Sequence, residues 1–299
     1  MTIEPPAFGE ARRPLGPRDP GDAWVVAPTG ERYWGRFGAA GLLAVDADRG
    51  VLLQHRVSWS HFGDTWALPG GARHEGESAC DAALREAAEE AGVPDAAIRA
   101  RVLSVLDLGY WSYTTLIGDV EVPFEPTISD PESRELAWVP IDAVSQHPLH
   151  PGFAASWDRL RGLLTARPAI VVDAANVVGS VADGWWRDRP GAAAGLLSRV
   201  AGAAETGILA SALDLPEHTW FPEWSVVLEG QARAAGDVAG IDVVRAEASG
   251  DDAIVAETRR LVAAGRQVTV VTGDRELRQR VTDAAAHVRG TRWLQELIA

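Results

Sequence analysis

From Gly71 to Val93 the chain reads GARHEGESACDAALREAAEEAGV, and this stretch constrains the fold more than any other. At about 100° per residue, Glu86, Glu89 and Glu90 (i, i+3, i+4) share one face of a helix. Cys80, Leu84, Ala87 and Ala91 are expected to form an apolar stripe on the other side. Like charges at this spacing cost a few tenths of a kcal/mol and raise one another's pKa. A hard divalent cation with oxygen ligands would offset that repulsion. A solvated acidic helix face is the alternative, and the flanks argue against it. Pro69-Gly70-Gly71 lets the backbone approach a cation closely. Glu77 and Arg85 bracket the helix, Arg85 can hold an acid by charge-assisted hydrogen bonds, and Gly92 ends the helix as a C-terminal glycine does.

Gly71, Glu77, Arg85, Glu86, Glu89, Glu90, Gly92 and Val93 fill the pattern G-x5-E-x7-R-E-U-x-E-E-x-G-U, with U a bulky aliphatic and the smaller Ala87 at the first U. The segment thus resembles the signature of the Nudix hydrolase family. Over about residues 35 to 165 the resemblance implies an α+β unit, the Nudix α/β/α sandwich. It also implies Mg2+ or Mn2+ and hydrolysis of a nucleoside diphosphate linked to another moiety. Carried over position by position, Glu89 and Glu90 are the expected metal ligands with the Gly70 carbonyl, Glu86 is a ligand or the general base, and Arg85 orients a glutamate. Arg56 resembles a phosphate-facing arginine and is otherwise a strand-end cation. Gly71 is expected to border the substrate. Glu132 and Glu135 are alternatives for a further acid. Trp59, His61, Phe62 and Trp66 are available to stack on a base, with core packing the stronger reading for Trp66. Cys80 has no base partner in reach and reads as a small core residue.

Residues 1 to 22, rich in Pro, Gly and charge, read as a loosely ordered leader, and the Nudix-like domain is assigned to 23–166. There GLLAVD (41–46) and VLLQHR (51–56) predict a hairpin across ADRG. Further strands are expected at about 101–107, 111–118 and 135–139, and 155–170 reads as a closing helix stopped by Pro168. From 167 to 299 the rhythm becomes strand then helix. AIVVD (169–173), SVVLE (225–229), IDVVRA (241–246) and QVTVVT (267–272) have the two-sided apolar character of buried parallel strands. Helices are expected at about 190–206, 251–264, 275–286 and 291–298. This predicts a doubly wound, mostly parallel α/β domain.

Acids recur just after these strands: Asp173, Glu229, Asp251, Asp252 and Asp274. The carboxyl ends of strands in an open α/β sheet face one crevice, so Asp173, Asp252 and Asp274 are predicted to converge on a divalent cation. Capping of separate helices and turns is the competing role. The segments 168–178, 249–255 and 270–281, with Asp173, Asn176, Asp252 and Asp274, resemble the NYN branch of PIN-like nucleases. That resemblance implies a metal-dependent ribonuclease fold.

Net charge is −14, and all 28 cationic Lys or Arg residues are Arg. Such acidity disfavours non-specific nucleic-acid binding, which needs basic surface. No apolar run reaches the roughly 18 residues of a membrane span. The start lacks a signal-peptide pattern and Cys80 is the single cysteine, so a cytoplasmic protein is expected. The first functional reading is a Nudix pyrophosphohydrolase acting on a small-molecule nucleotide. The second is an RNA-processing protein that joins 5'-end hydrolysis to a PIN-like ribonuclease. A nucleotide-sensing module with an inactive site is the third, and the complete set of acids argues against it. Whether Arg187, Arg189, Arg275 and Arg278 line a groove beside the second acidic cluster separates the first two.

Overall fold

The computed structural model describes residues 1–6, 19–94, 96–181 and 185–299. These fall into two compact units, Met1–Leu164 with Pro216–His218, and Thr165–Leu215 with Thr219–Ala299. No helix among the described residues is long and apolar enough to cross a membrane.

The first unit opens with a three-stranded antiparallel sheet, β1 (Thr2–Glu4), β2 (Trp24–Val26) and β3 (Arg32–Trp34). Thr2–Glu4 lies inside the stretch read as a leader, yet it pairs with Trp24–Val26. Residues 7–18 of that stretch lie outside the described residues. Next come β4 (Ala39–Asp46), β5 (Gly50–Arg56), β6 (Trp66–Ala67), β7 (Gly70–Ala72), α1 (Ala79–Ala91), β8 (Ile98–Asp107), β9 (Ser112–Val120), β10 (Ser133–Val139) and α2 (Pro151–Leu163). Their sheet runs β10-β5-β4-β9-β8, with β6 on β5 and β7 on β4. The β4–β9 pair is parallel and its other pairs are antiparallel. The predicted hairpin forms with Asp46 opposite Gly50, and the Asp46 carboxylate accepts the N–H groups of Asp48 and Arg49 in the turn.

α1 packs on this sheet through Ala82, Ala83, Ala87 and Ala91, which meet Ala40, Leu42, Ala44, Leu52 and Leu116. The expected stripe shifts accordingly. Cys80 and Leu84 are only partly buried at its margin, while Glu86 and Glu90 lie within the buried face. Small alanines bring the helix axis close to the sheet, and the two glutamates then project over β7, where Gly70 and Gly71 have no side chain. α2 ends at Leu163, before Pro168, and Pro168 opens the following strand rather than stopping the helix.

In the second unit, β11 (Pro168–Asp173), α3 (Ala174–Gly179), α4 (Arg189–Thr206), a short hairpin β12 (Ile208–Leu209), α5 (Ala210–Leu213) and β13 (Thr219–Trp220) precede β14 (Glu223–Leu228), β15 (Asp242–Arg245), α6 (Gly250–Ala263), β16 (Gln267–Val271), α7 (Arg275–Thr282), β17 (His287–Arg289) and α8 (Thr291–Leu297). Five strands pair in parallel in the order β15-β14-β11-β16-β17. Ile170 and Val172 face α3, α4 and α8, and Ala169 and Val171 face α6 and α7. Helices therefore cover both sides, as two-sided apolar strands require. The chain reverses direction across the sheet at β11, and Asp173 ends that strand.

Candidate active site

Helix α1 is held at both ends. The Ser78 hydroxyl accepts the Asp81 N–H at 3.0 Å, an N-cap. Gly92, at φ +62°, closes the other end in the left-handed conformation that favours glycine, with its N–H on the last carbonyls. Between the caps Glu86 is 1% exposed and Glu90 6%, whereas the Glu89 side chain is 44% exposed. The three acids predicted to share a face thus sit at different depths.

Arg85 organises them. Its Nε donates to Glu77 Oε1 at 2.7 Å and its Nη2 to Glu77 Oε2 at 2.9 Å and to the Ala72 carbonyl at 3.0 Å. Its Nη1 donates to Glu86 at 2.8 Å and to Glu89 at 3.4 Å. Burial opposes ionisation of Glu77, but Arg85 and the His74 N–H outweigh it and hold that carboxyl below its usual range. Burial likewise opposes the Arg85 charge, and Glu77 and Glu86 overcome it, so the guanidinium stays cationic.

Glu90 differs. Burial and then repulsion from Glu86 push its carboxyl well above the usual range, and the Gly70 N–H and Arg56 only partly compensate. The Gly70 N–H donates to Glu90 Oε2 at 2.9 Å. Gly71 presses even closer to Glu86: a Cβ there would stand 2.6 Å from Oε2. The glycine loop is therefore a surface moulded to two carboxylates.

Glu86 and Glu90 open into a cleft of about 960 Å³ also lined by Gly70, Gly71, Arg56, Glu132 and Tyr113. Arg56 Nη2 stands 3.5 Å from Glu132, and its Nε is buried with no hydrogen-bond partner. Of the two late acids, Glu132 faces the cleft, whereas Glu135 is exposed on β10. Of the four aromatic candidates, His61 and Phe62 line the cleft. Trp66 is 7% exposed and stacks on His55 at 4.8 Å, and Trp59 is half exposed. Cys80 is partly buried, and burial raises its thiol to about 11, which removes it as a nucleophile at neutral pH.

Sequence reasoning passed over Tyr113, His150 and the wall formed by β3. Tyr33 and Trp111 pack at 4.7 Å with their rings tilted by 31°, Trp24 packs edge-on to Trp34 at 5.1 Å, and Tyr33, Trp34 and Trp111 line the cleft. The signal for His150 was the run His150-Pro151-Gly152, since Pro is favoured at the first position of a helix and His150 caps α2.

In the second unit, Asp173 is buried, accepts the Asn176 N–H at 3.0 Å, and accepts the Thr272 hydroxyl at 2.8 Å. Thr272 Oγ1 in turn accepts the Asp274 N–H at 3.1 Å, and Asn176 Oδ1 accepts the Gly273 N–H at 2.8 Å. Burial, then Asp251 and Glu229, raise the Asp173 carboxyl, and burial, then Asp274 and Glu229, raise that of Asp251. Asp252, the next residue, raises the Asp251 carboxyl as well. Asp252 is a correction to the predicted trio: it is exposed and pairs with Arg280. It follows Asp251 by one residue on α6, so it points about 100° away. Asp274 also caps α7 by accepting the Leu277 N–H at 2.8 Å. Among the described residues, no three His, Cys, Asp or Glu side chains are already arranged to hold a metal ion in either unit.

The NUDIX domain model matches residues 35–160. A Mycobacterium tuberculosis protein named "Putative 8-oxo-dGTP diphosphatase 3" is 46% identical over 171 residues, 54% of this chain and 76% of that protein. A Bifidobacterium longum protein named "Nucleoside triphosphate pyrophosphatase/Nudix hydrolase fusion protein" is 40% identical over 154 residues, 48% of this chain and 32% of that one. The crystal structure of a Nudix hydrolase from M. smegmatis, RenU, aligns at 48% identity with a TM-score of 0.45, across 48% of this chain and 94% of that one.

Proposed function

Because the chain belongs to the Nudix family and is a Nudix hydrolase, we propose that it cleaves a phosphoanhydride bond in a nucleoside diphosphate linked to a further group. A purine nucleoside triphosphate is the leading substrate, consistent with the name of the M. tuberculosis relative. The observation that carries this reading is the buried pair Glu86 and Glu90 facing Arg56 across one cleft. Two repelling carboxylates beside a glycine loop form an all-oxygen donor set, which fits a hard cation. Glu86, Glu89 and Glu90 would hold Mg2+ or Mn2+, with Gly70 at its side, and the ion would offset phosphate charge and acidify a bound water. Glu89 is exposed enough to turn from Arg85 into that role.

The chain's own residues supply the rest. Arg56 lines the cleft with a guanidinium suited to phosphate oxygens. Arg85 holds Glu86 in place through its 2.8 Å bond, and Gly71 leaves the space that the carboxylate occupies. Water adds at phosphorus, the bridging P–O bond breaks, the water proton passes to a glutamate carboxylate, and a triphosphate yields a monophosphate and pyrophosphate. The test is pyrophosphate release from a nucleotide panel with Mg2+ or Mn2+, alongside Glu89→Gln and Glu90→Gln. Each variant is expected to lose at least about 10-fold in rate with its fold retained, and a chelator is expected to stop turnover. Near-wild-type rates in both variants would exclude the site.

A second reading, an added RNA-cleaving activity in the second unit, draws on Asp173 at the end of β11, a buried carboxyl raised by burial and by Asp251 and Glu229. That is where a doubly wound sheet binds its ligand. Under this reading Asp173→Asn abolishes metal-dependent RNA cleavage and leaves nucleotide hydrolysis intact. RNA cleavage that persists in Asp173→Asn removes it.

A further inference from the structure

His150 lies on the cleft wall with Phe62, His61 and Arg56, remote in sequence from the glutamate helix. Its backbone is fixed by an N–H bond to the Trp66 carbonyl at 2.8 Å, and Trp66 N–H returns to the Pro148 carbonyl at 2.8 Å. Pro151 and Gly152 start α2, and the Gly152 N–H donates to His150 Nδ1 at 3.1 Å. A nitrogen that accepts carries no proton, so the neutral ring bears its hydrogen on Nε2. The ring also stays neutral. Burial, then the Arg56 charge, then His61 push it down to about 4. At neutral pH His150 is therefore a single-proton donor whose tautomer is set by a helix N-terminus.

The surroundings identify what it donates to. Phe62 meets the His150 ring edge-on at 4.8 Å and is 47% exposed, and His61 lies 6.4 Å away. Phe62 sits at φ +54°, a conformation bulky residues seldom adopt. The turn that imposes it is tied by the Thr65 hydroxyl on the Phe62 carbonyl at 2.5 Å. Strained backbone of this kind persists where the side chain must be presented. An uncharged donor beside an open aromatic face suits the edge and face of a nucleobase. Arg56, the cation of this wall, suits the phosphates.

We propose that His150 is a specificity-determining residue whose Nε2–H donates to the exocyclic carbonyl of a 6-oxopurine, so that the cleft favours guanine-type over adenine-type nucleotides. A guanine presents an acceptor at position 6, and an adenine presents an amino donor there. A fixed donor rewards the first and faces the second donor to donor. This rests on the nucleotide reading of the cleft.

The experiment compares kcat/KM for dGTP and dATP, and binding of GMP and AMP by calorimetry without added metal, in wild type, His150→Asn and His150→Asp. Both replacements are good N-caps, so α2 keeps its start, and thermal melts check this. Asn retains a donor, whereas Asp offers only an acceptor. The wild type is expected to favour guanine by at least about 10-fold, as expected of a site built to bond one polar group. His150→Asn is expected to keep most of that ratio, and His150→Asp to lower it by at least about 10-fold, through KM rather than kcat. An unchanged ratio in a well-folded His150→Asp overturns the proposal, as does a wild type without base preference in both assays. Tighter GMP than AMP binding, lost in His150→Asp but without turnover of any nucleotide, would support the proposal while refuting the catalytic reading.

Discussion

Replacing Gly71 by alanine tests the packing on which the proposed chemistry depends. Gly71 does not have a positive φ, so alanine meets no backbone penalty there and the perturbation is the added methyl group alone. That carbon would stand 2.6 Å from Glu86 Oε2 and 2.7 Å from both Cδ and Oε1. Ordinary contact begins near 3.4 Å, so the carboxylate must retreat by about 0.8 Å. It can retreat only by turning into the cleft it borders, which pulls it from its 2.8 Å bond to Arg85. Because the displaced atoms end a flexible side chain, the cost falls at the low end of the roughly 1–3 kcal/mol of overpacking, and each kcal/mol lowers the midpoint of a unit this size by roughly 2–4 °C. Moving a positioned group by nearly 1 Å lowers turnover by up to about 100-fold. Gly162→Ala is the control: it lies in α2 with no atom within 4 Å of its added carbon, and helix propensity makes it neutral or stabilising by up to about 1 kcal/mol. Thermal melts and nucleotide hydrolysis measured in parallel read both quantities. If Gly71→Ala melted with the wild type and kept its turnover within about 2-fold, Glu86 would not rest on the glycine loop. A lowered midpoint with unchanged turnover would leave the packing standing and remove the Glu86 carboxylate from the chemistry.

Two further outcomes are expected. Glu90 has its carboxyl raised by burial and by Glu86, while the unfolded chain titrates it near about 4.3. Between those values the folded state binds more protons, so the metal-free protein loses stability as pH rises from about 4.3 toward neutrality. Melts of wild type and Glu90→Gln from pH 5 to 8 should diverge for that reason, and parallel curves would disprove the burial of this charge. Limited proteolysis should cut near residues 164–169 and leave two folded fragments, with joint loss of both pointing to a single cooperative unit.

The glutamate helix, its closing glycine and the β4–β5 hairpin were legible in the sequence because each rests on contacts within a few residues: Gly92 with the preceding turn, Asp46 with the turn it heads. The parallel strands of the second unit were legible because burial on both faces leaves an unbroken apolar run, as in Ile170, Val171 and Val172. Periodicity alone misjudged which side of α1 is buried. It placed Glu86, Glu89 and Glu90 together against an apolar stripe. Burial of Glu86 and Glu90 instead depends on glycines at 70 and 71, in a strand whose pairing with Ala39–Gly41 is a tertiary event. The same limit applies to Asp252. It is adjacent to Asp251 in sequence, yet only the seating of α6 on the sheet decides which of the two turns toward Asp173 and Asp274. His150 shows the limit most fully. Its position as a cap was written in His-Pro-Gly, but its neutrality and its place beside Phe62 and Arg56 arise from chain segments about 90 residues apart. The sequence by itself therefore determined which local elements form and which acids they carry. Only the tertiary structure decided which of those groups are desolvated together, because desolvation depends on neighbours brought from elsewhere in the chain.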